Sequence, residues 1–140
     1  MVVPPSLQEL IEQSDVIAHG TVSDLESRRD TDGPDIYTIV SVDVSKLVLD
    51  RRAGGTPQAK VTFWLEGGTI GAETMATSIS PDLNKGDEGV FFLAHDSGED
   101  TLTLVGGQQG FIPIDGGTVM VEGRKQPVRE FLEEVTRRLP

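Results

Sequence analysis

The chain has 140 residues, of which 36% are hydrophobic and 25% charged, with a formal net charge of -11. This is the composition of a folded domain rather than a disordered segment, and the length suffices to bury a core without disulfides or metals. So negative a surface repels phosphate backbones, so no nucleic-acid partner is expected, and the absence of cysteine removes disulfides, thiolate metal sites and thiol nucleophiles together.

No segment approaches the roughly 18 consecutive apolar residues of a membrane span, so no membrane insertion is expected. Met1-Val2-Val3-Pro4-Pro5 has neither the basic nor the apolar region of a signal peptide. If the protein works outside the cytoplasm, its signal is expected to have been removed.

Ser6-Leu7-Gln8-Glu9 has the form of a capping box and opens a short helix over 6–13, with Leu7, Leu10 and Ile11 on one face. From Asp15 the apolar period changes to two, which predicts a strand over 15–28. Val16, Ala18, Gly20 and Val22 share one parity, but Leu25 comes three positions after Val22, so the buried face switches. A second long strand over 36–49 behaves alike: Val40, Val42 and Val44 keep one parity, then Leu47 and Leu49 take the other. Such switches are what a β-bulge or sharp bend produces, and two bent neighbouring strands predict a small barrel rather than a flat sheet.

Val61, Phe63 and Leu65 mark a strand over 60–66, closed by Gly67-Gly68. The pattern weakens from Thr69 to Asp87, a stretch where function is expected to concentrate. Val90-Phe91-Phe92-Leu93-Ala94 predicts a strand over 89–95 buried on both faces. Shorter strands follow over 101–105, 111–114 and 118–121, with Pro113 implying an edge position for the second of them. Pro127 suits the first turn of a final helix over 127–139, whose stripe is Val128, Phe131, Leu132, Val135 and Leu139. The fold class that emerges is mainly β, a small closed or partly open OB-like barrel with a short N-terminal and an amphipathic C-terminal helix, as one domain over 1–140.

The wording along that order of elements carries a resemblance. Ser14-Asp15-Val16-Ile17-Ala18-His19-Gly20-Thr21-Val22 opens it, followed by Tyr37-Thr38-Ile39-Val40-Ser41-Val42-Asp43-Val44 and Gly67-Gly68-Thr69-Ile70-Gly71. Gly86-Asp87-Glu88-Gly89-Val90-Phe91-Phe92-Leu93 and Gln109-Gly110-Phe111 complete it. Over residues 10–115 this resembles a broad set of uncharacterised bacterial extracytoplasmic domains with an OB-like barrel. More distantly, it is similar to the N-terminal domain of tissue inhibitors of metalloproteinases and to netrin-like modules. The resemblance implies a location outside the cytoplasm, with a cytoplasmic one as the alternative, and the use of barrel edges and loops to bind protein. The inhibitors chelate a protease zinc with an N-terminal cysteine; with no cysteine here, that mechanism does not carry over.

Asp30, Asp32 and Asp35 around Gly33 are the candidate metal ligands, since oxygen-rich loops hold Ca²⁺, but the spacing is not that of an EF-hand and a solvated turn is expected. His19 and His95 could approach each other across the barrel. No nucleophile elbow or His-Glu-x-x-His helix accompanies them, so no catalytic residue is assigned. The glycines at 67–71 and 106–110 are read as corners of a closed sheet, because no helix signal or Walker ending follows them. Trp64 lies on the parity opposite Phe63 and, beside Tyr37, would make a platform for a sugar or peptide. The expectation preferred over that platform is that one of the helices covers Trp64, since both need an apolar surface. The expected function is non-catalytic binding of another protein, without a cofactor. The alternatives are an oligonucleotide-binding OB domain and a hydrolase with a scattered Ser/His/Asp site.

Overall fold

The path of the chain follows from where its strands are forced to bend. A computed structural model describes residues 6–29, 36–51, 60–70, 73–75, 83–95, 101–121 and 123–139. Helix α1 (Leu7–Gln13) precedes two long strands, β1 (Val16–Arg29) and β2 (Ile36–Asp50), and then β3 (Lys60–Glu66). Two short strands, β4 (Gly68–Ile70) and β5 (Glu73–Met75), pair with each other. There follow β6 (Glu88–His95), β7 (Leu102–Leu104), a 3-10 turn (Gly107–Gly110), β8 (Phe111–Asp115), β9 (Thr118–Val121), β10 (Arg124–Pro127) and helix α2 (Val128–Arg137).

Five strands close into a barrel in the order β1-β2-β3-β7-β6, and β6 returns to pair with β1 from Val16↔Leu93 to Thr21↔Glu88. Among the described residues the one parallel contact is β3 with β7, at Trp64↔Thr103. Among barrel strands alone the order is first, second, third, fifth, fourth, which is OB-like. The fold is therefore mainly β, a closed five-stranded barrel with a helix near each end of the chain.

The parity switches are bulges at identifiable residues. Val22 pairs with Val42 and Asp24 with Ser41, so Ser23 is the extra residue in β1. Gly20 pairs with Val44 and His19 with Lys46, which makes Ser45 the extra residue in β2. Each bulge returns the next leucine to the interior: Leu25 and Leu47 pack on the same cluster as Val22, Val40 and Val42. A further shift between Ile17↔Leu49 and Ala18↔Leu47 leaves Val48 extra. Leu47 and Leu49, expected on one face, are thereby separated, and Leu49 packs toward the helices.

The second edge of β6 is forked. Residues Gly89–Phe91 pair with β8, residues Leu93–His95 with β7, and at the fork the Val105 N–H donates to the Phe92 carbonyl at 2.9 Å. Consequently β6 is buried on both sides: Phe91 and Leu93 fill the barrel, while Val90 and Phe92 join Ile17, Ile112, Val119 and Val121 under the helices. From the fork, β8, β9 and β10 run as a meander beyond the barrel. Pro113 is not on an edge strand as expected, because β8 lies between β6 and β9. Its missing amide is tolerated because the pairing to β9 begins one residue later, at Ile114.

The capping box forms as expected, with Ser6 Oγ accepting from the Glu9 N–H at 3.2 Å and the Ser6 N–H reaching Glu9 Oε1 at 3.5 Å. Leu7, Leu10 and Ile11 of α1 and Phe131, Leu132 and Val135 of α2 bury against the outer side of β6, β8 and β9. Pro127 closes β10 and caps α2 rather than entering it, and the Val128 N–H is satisfied by the Gly117 carbonyl at 2.9 Å.

Candidate functional site

Strand alternation sets an aromatic pair on the outside of β2 and β3. In β2, Ile36, Thr38, Val40 and Val42 are buried while Tyr37, Ile39 and Ser41 alternate with them. In β3, Val61, Phe63 and Leu65 point inward, leaving Thr62, Trp64 and Glu66 outside. The register pairs Tyr37 with Glu66 and Ile39 with Trp64, so Tyr37 and Trp64 are diagonal neighbours. Their rings stack with centroids 4.4 Å apart and planes 8° from parallel.

The expected cover is absent: α1 and α2 bury the cluster containing Ile17, Val90 and Phe92, to which Trp64 does not belong. The physical reason lies in β6, whose outward residues are as apolar as its inward ones and thus require a lid. The outward residues of β3, Lys60, Thr62, Trp64 and Glu66, are mostly polar and do not.

The aromatic pair bridges two register rows, Arg28–Tyr37–Glu66 and Glu26–Ile39–Trp64–Thr103. Arg28 on β1 is the register partner of Tyr37, and Thr103 on β7 that of Trp64. Arg28 donates two hydrogen bonds to Glu26, from Nε at 3.1 Å and Nη2 at 3.2 Å. Glu26, through hydrogen bonding first and charge second, raises the Arg28 pKa above the ordinary arginine value, and Tyr37 adds in the same direction. The guanidinium is therefore a fixed cation beside Tyr37.

Beneath the pair, the buried Thr38 donates from Oγ1 to the Gly67 carbonyl at 2.8 Å and lies 3.1 Å from Ser27 Oγ. The Gly67 N–H in turn donates to the Ile36 carbonyl at 2.8 Å. Gly68, at φ +145°, sits where a Cβ would come within 2.5 Å of both the Ser27 and Thr38 hydroxyl oxygens. The Gly-Gly corner is a packing requirement that fixes β2 beside β3, and the strand that follows it, β4, is not the helix a phosphate loop would need.

The histidines are not brought together. His19 Nε2 lies 2.8 Å from Glu88 Oε2, and His95 lies beside Asp15, whose Oδ2 accepts from the His95 N–H at 2.9 Å. His19 stands opposite Val90, five residues from His95 along β6, or roughly 17 Å at the rise of an extended strand. The hydroxyls of Ser14 and Ser23 donate to the carbonyls of Leu10 and Ser41, and that of Ser27 meets Thr38; none of these bonds reaches a histidine. Among the described residues no three His, Asp or Glu side chains converge as metal ligands would. Asp30, Asp32 and Asp35 lie outside the described residues, as do much of the 69–87 stretch and residues 96–100.

Glu26, Arg28 and Thr103 escaped the sequence reading. Alternation beyond the Ser23 bulge would have placed Glu26 and Arg28 on the outer face. Thr103 has no such signal, since its pairing with Trp64 is parallel and distant in sequence. Comparison with protein-family models, with curated proteins and with solved structures finds no match for this chain. The chain is an OB-like barrel with one outer face lidded by helices and another carrying an aromatic stack.

Proposed function

We propose that the chain is a non-catalytic binding module, that its partner is another protein, and that the outer face of β1, β2 and β3 is the contact surface. The observation that carries the reading is the Tyr37–Trp64 stack on a face that the two helices leave aside. Tyrosine and tryptophan offer large apolar area at low conformational cost, which is why they concentrate at the centres of protein interfaces. The polar residues around them, Glu26, Arg28, Thr62 and Glu66, suit the rim of such a contact. An extracytoplasmic location rests on the resemblance alone.

Stacked aromatics also hold single-stranded bases, but such sites combine them with a basic groove. Here the net charge is -11 and two carboxylates, Glu26 and Glu66, flank the rings in the sheet register. The test is a pull-down from envelope extract with the parent chain and with the Tyr37→Ala/Trp64→Ala double variant, both checked for folding by circular dichroism. One protein retained in stoichiometric amount by the parent and lost by the variant is the expected result. An identical retained set for both overturns the assignment of the surface. Fluorophosphonate labelling that disappears in His19→Ala or His95→Ala would replace the reading with the hydrolase.

A further inference from the structure

The five junctions that close the barrel are unequal. β2 and β3 are paired without a break from Tyr37↔Glu66 to Asp43↔Lys60, and Thr38 bonded to the Gly67 carbonyl reinforces one end. β1 is paired along its first half to both β2 and β6. β7 is paired to β6 from Leu93↔Leu104 to His95↔Leu102, and the Val105 N–H donates to the Phe92 carbonyl just beyond. Between β3 and β7 there is only Trp64↔Thr103. A continuing parallel ladder would also pair Phe63 with Leu102 and Leu65 with Leu104. All four residues are described, and neither pair forms.

The link runs through Trp64 itself. The Gly67 N–H donates to the Ile36 carbonyl, and bonded pairs alternate along an antiparallel ladder, so Leu65, Phe63 and Val61 turn their backbone groups to β2. Trp64 and Thr62 therefore turn theirs toward β7, and of these two Trp64 alone has a register partner there. What otherwise closes the junction is side-chain burial: Val61, Phe63 and Leu65 of β3 and Leu102 and Leu104 of β7 belong to one apolar cluster inside the barrel.

We propose that the β3–β7 junction is a seam at which the barrel opens locally, β7 parting from β3 while it stays paired to β6. Parallel pairing is weaker per residue than antiparallel, and local opening is drawn from the parts of a fold with the fewest bonds to break. This opening is independent of the binding reading. It bears on the outer face all the same, because Trp64 both carries the link to β7 and stacks on Tyr37.

The chain contains no cysteine, so one introduced thiol is the only one that can react. Leu104→Cys places a buried thiol on the seam. Ala18→Cys places one on β1, which neighbours neither β3 nor β7 in the barrel order. Each variant is mixed with dithiobisnitrobenzoate over a range of low urea concentrations, and its labelling rate is compared with that allowed by its own urea unfolding curve. Leu104→Cys should react about a hundredfold faster than global unfolding allows, with little dependence on urea, because a local opening exposes little surface. Ala18→Cys should react only through global unfolding, with a steep dependence.

The same relative rate and urea dependence at both positions, whether slow or fast, overturns the seam. Amide exchange in the parent chain keeps the test intact should Leu104→Cys fail to fold. There the Trp64 amide should exchange about a hundredfold faster than that of Ala18, and equal protection of the two overturns the seam as well.

Discussion

The outer side of β6 and β8 and the outer side of β2 and β3 belong to one continuous sheet, yet they are finished in different ways. On the first, Val90, Phe92 and Ile112 are buried beneath Leu10, Ile11, Phe131 and Val135. On the second, Tyr37 and Trp64 are half-buried, stacked on each other, and set among charged and hydroxyl side chains. The difference shows what each face is required to do. A strand that is apolar on both parities must be lidded to stay out of water, and the free energy of that lid belongs to the fold. A strand that alternates can leave its outer aromatics where another molecule can reach them.

The largest effect should come from opening the lid. Phe131 is fully buried, and Phe131→Ala is expected to cost about 3–5 kcal/mol in urea unfolding, the range for a core phenylalanine. A loss below about 1 kcal/mol would mean that α2 contributes little to the core and that the two faces differ less than their burial indicates. Next comes the corner beneath the aromatic pair. Gly68→Ala combines a left-handed backbone with a Cβ overlapping the Ser27 and Thr38 hydroxyls, so about 2–3 kcal/mol is expected. Gly86→Ala is its control: φ is +98° there too, but nothing lies within 4 Å of the added carbon, and about 1 kcal/mol should be lost through the backbone alone. Similar losses at both positions would remove the steric part of the account.

Much of the lidded region could be read from the sequence, and the reasons are local. The capping box of Ser6 and Glu9, the stripe from Val128 to Leu139 and the unbroken run Val90–Ala94 each declare their own environment. The bulges at Ser23 and Ser45 were visible because a parity switch leaves a mark in the spacing of apolar residues. That at Val48 was hidden, since Leu47 and Leu49 look like one face until the register is known. β10 carried no signal, because Arg124-Lys125-Gln126-Pro127 has no apolar alternation and is held by its pairing with β9. For the open region, parity put Trp64 outside correctly but did not say which outer face the helices would choose. That choice was open to inference from β6, whose apolar outer residues need the lid more than those of β3 do. The joining of Trp64 to Thr103 was beyond reach, being a pairing between strands distant in sequence.

The smaller effects sharpen the comparison from each side. Ser6→Ala removes the side-chain acceptor for the Glu9 N–H on α1, and about 1 kcal/mol of stability should go with it. On the open face, a double-mutant cycle of Tyr37→Ala and Trp64→Ala should return a coupling energy of about 0.5–1.5 kcal/mol, the value of an aromatic pair beyond the area it buries. The stack would then contribute to stability on a scale far below that of the lid, because stacking takes only one face of each ring out of water. A coupling above about 3 kcal/mol would instead make the pair a core element that lies at the surface, and the case for an exposed contact surface would lose its physical basis. A coupling near zero would mean that the rings do not stack in solution, and the outer face of β2 and β3 would lose the feature that sets it apart.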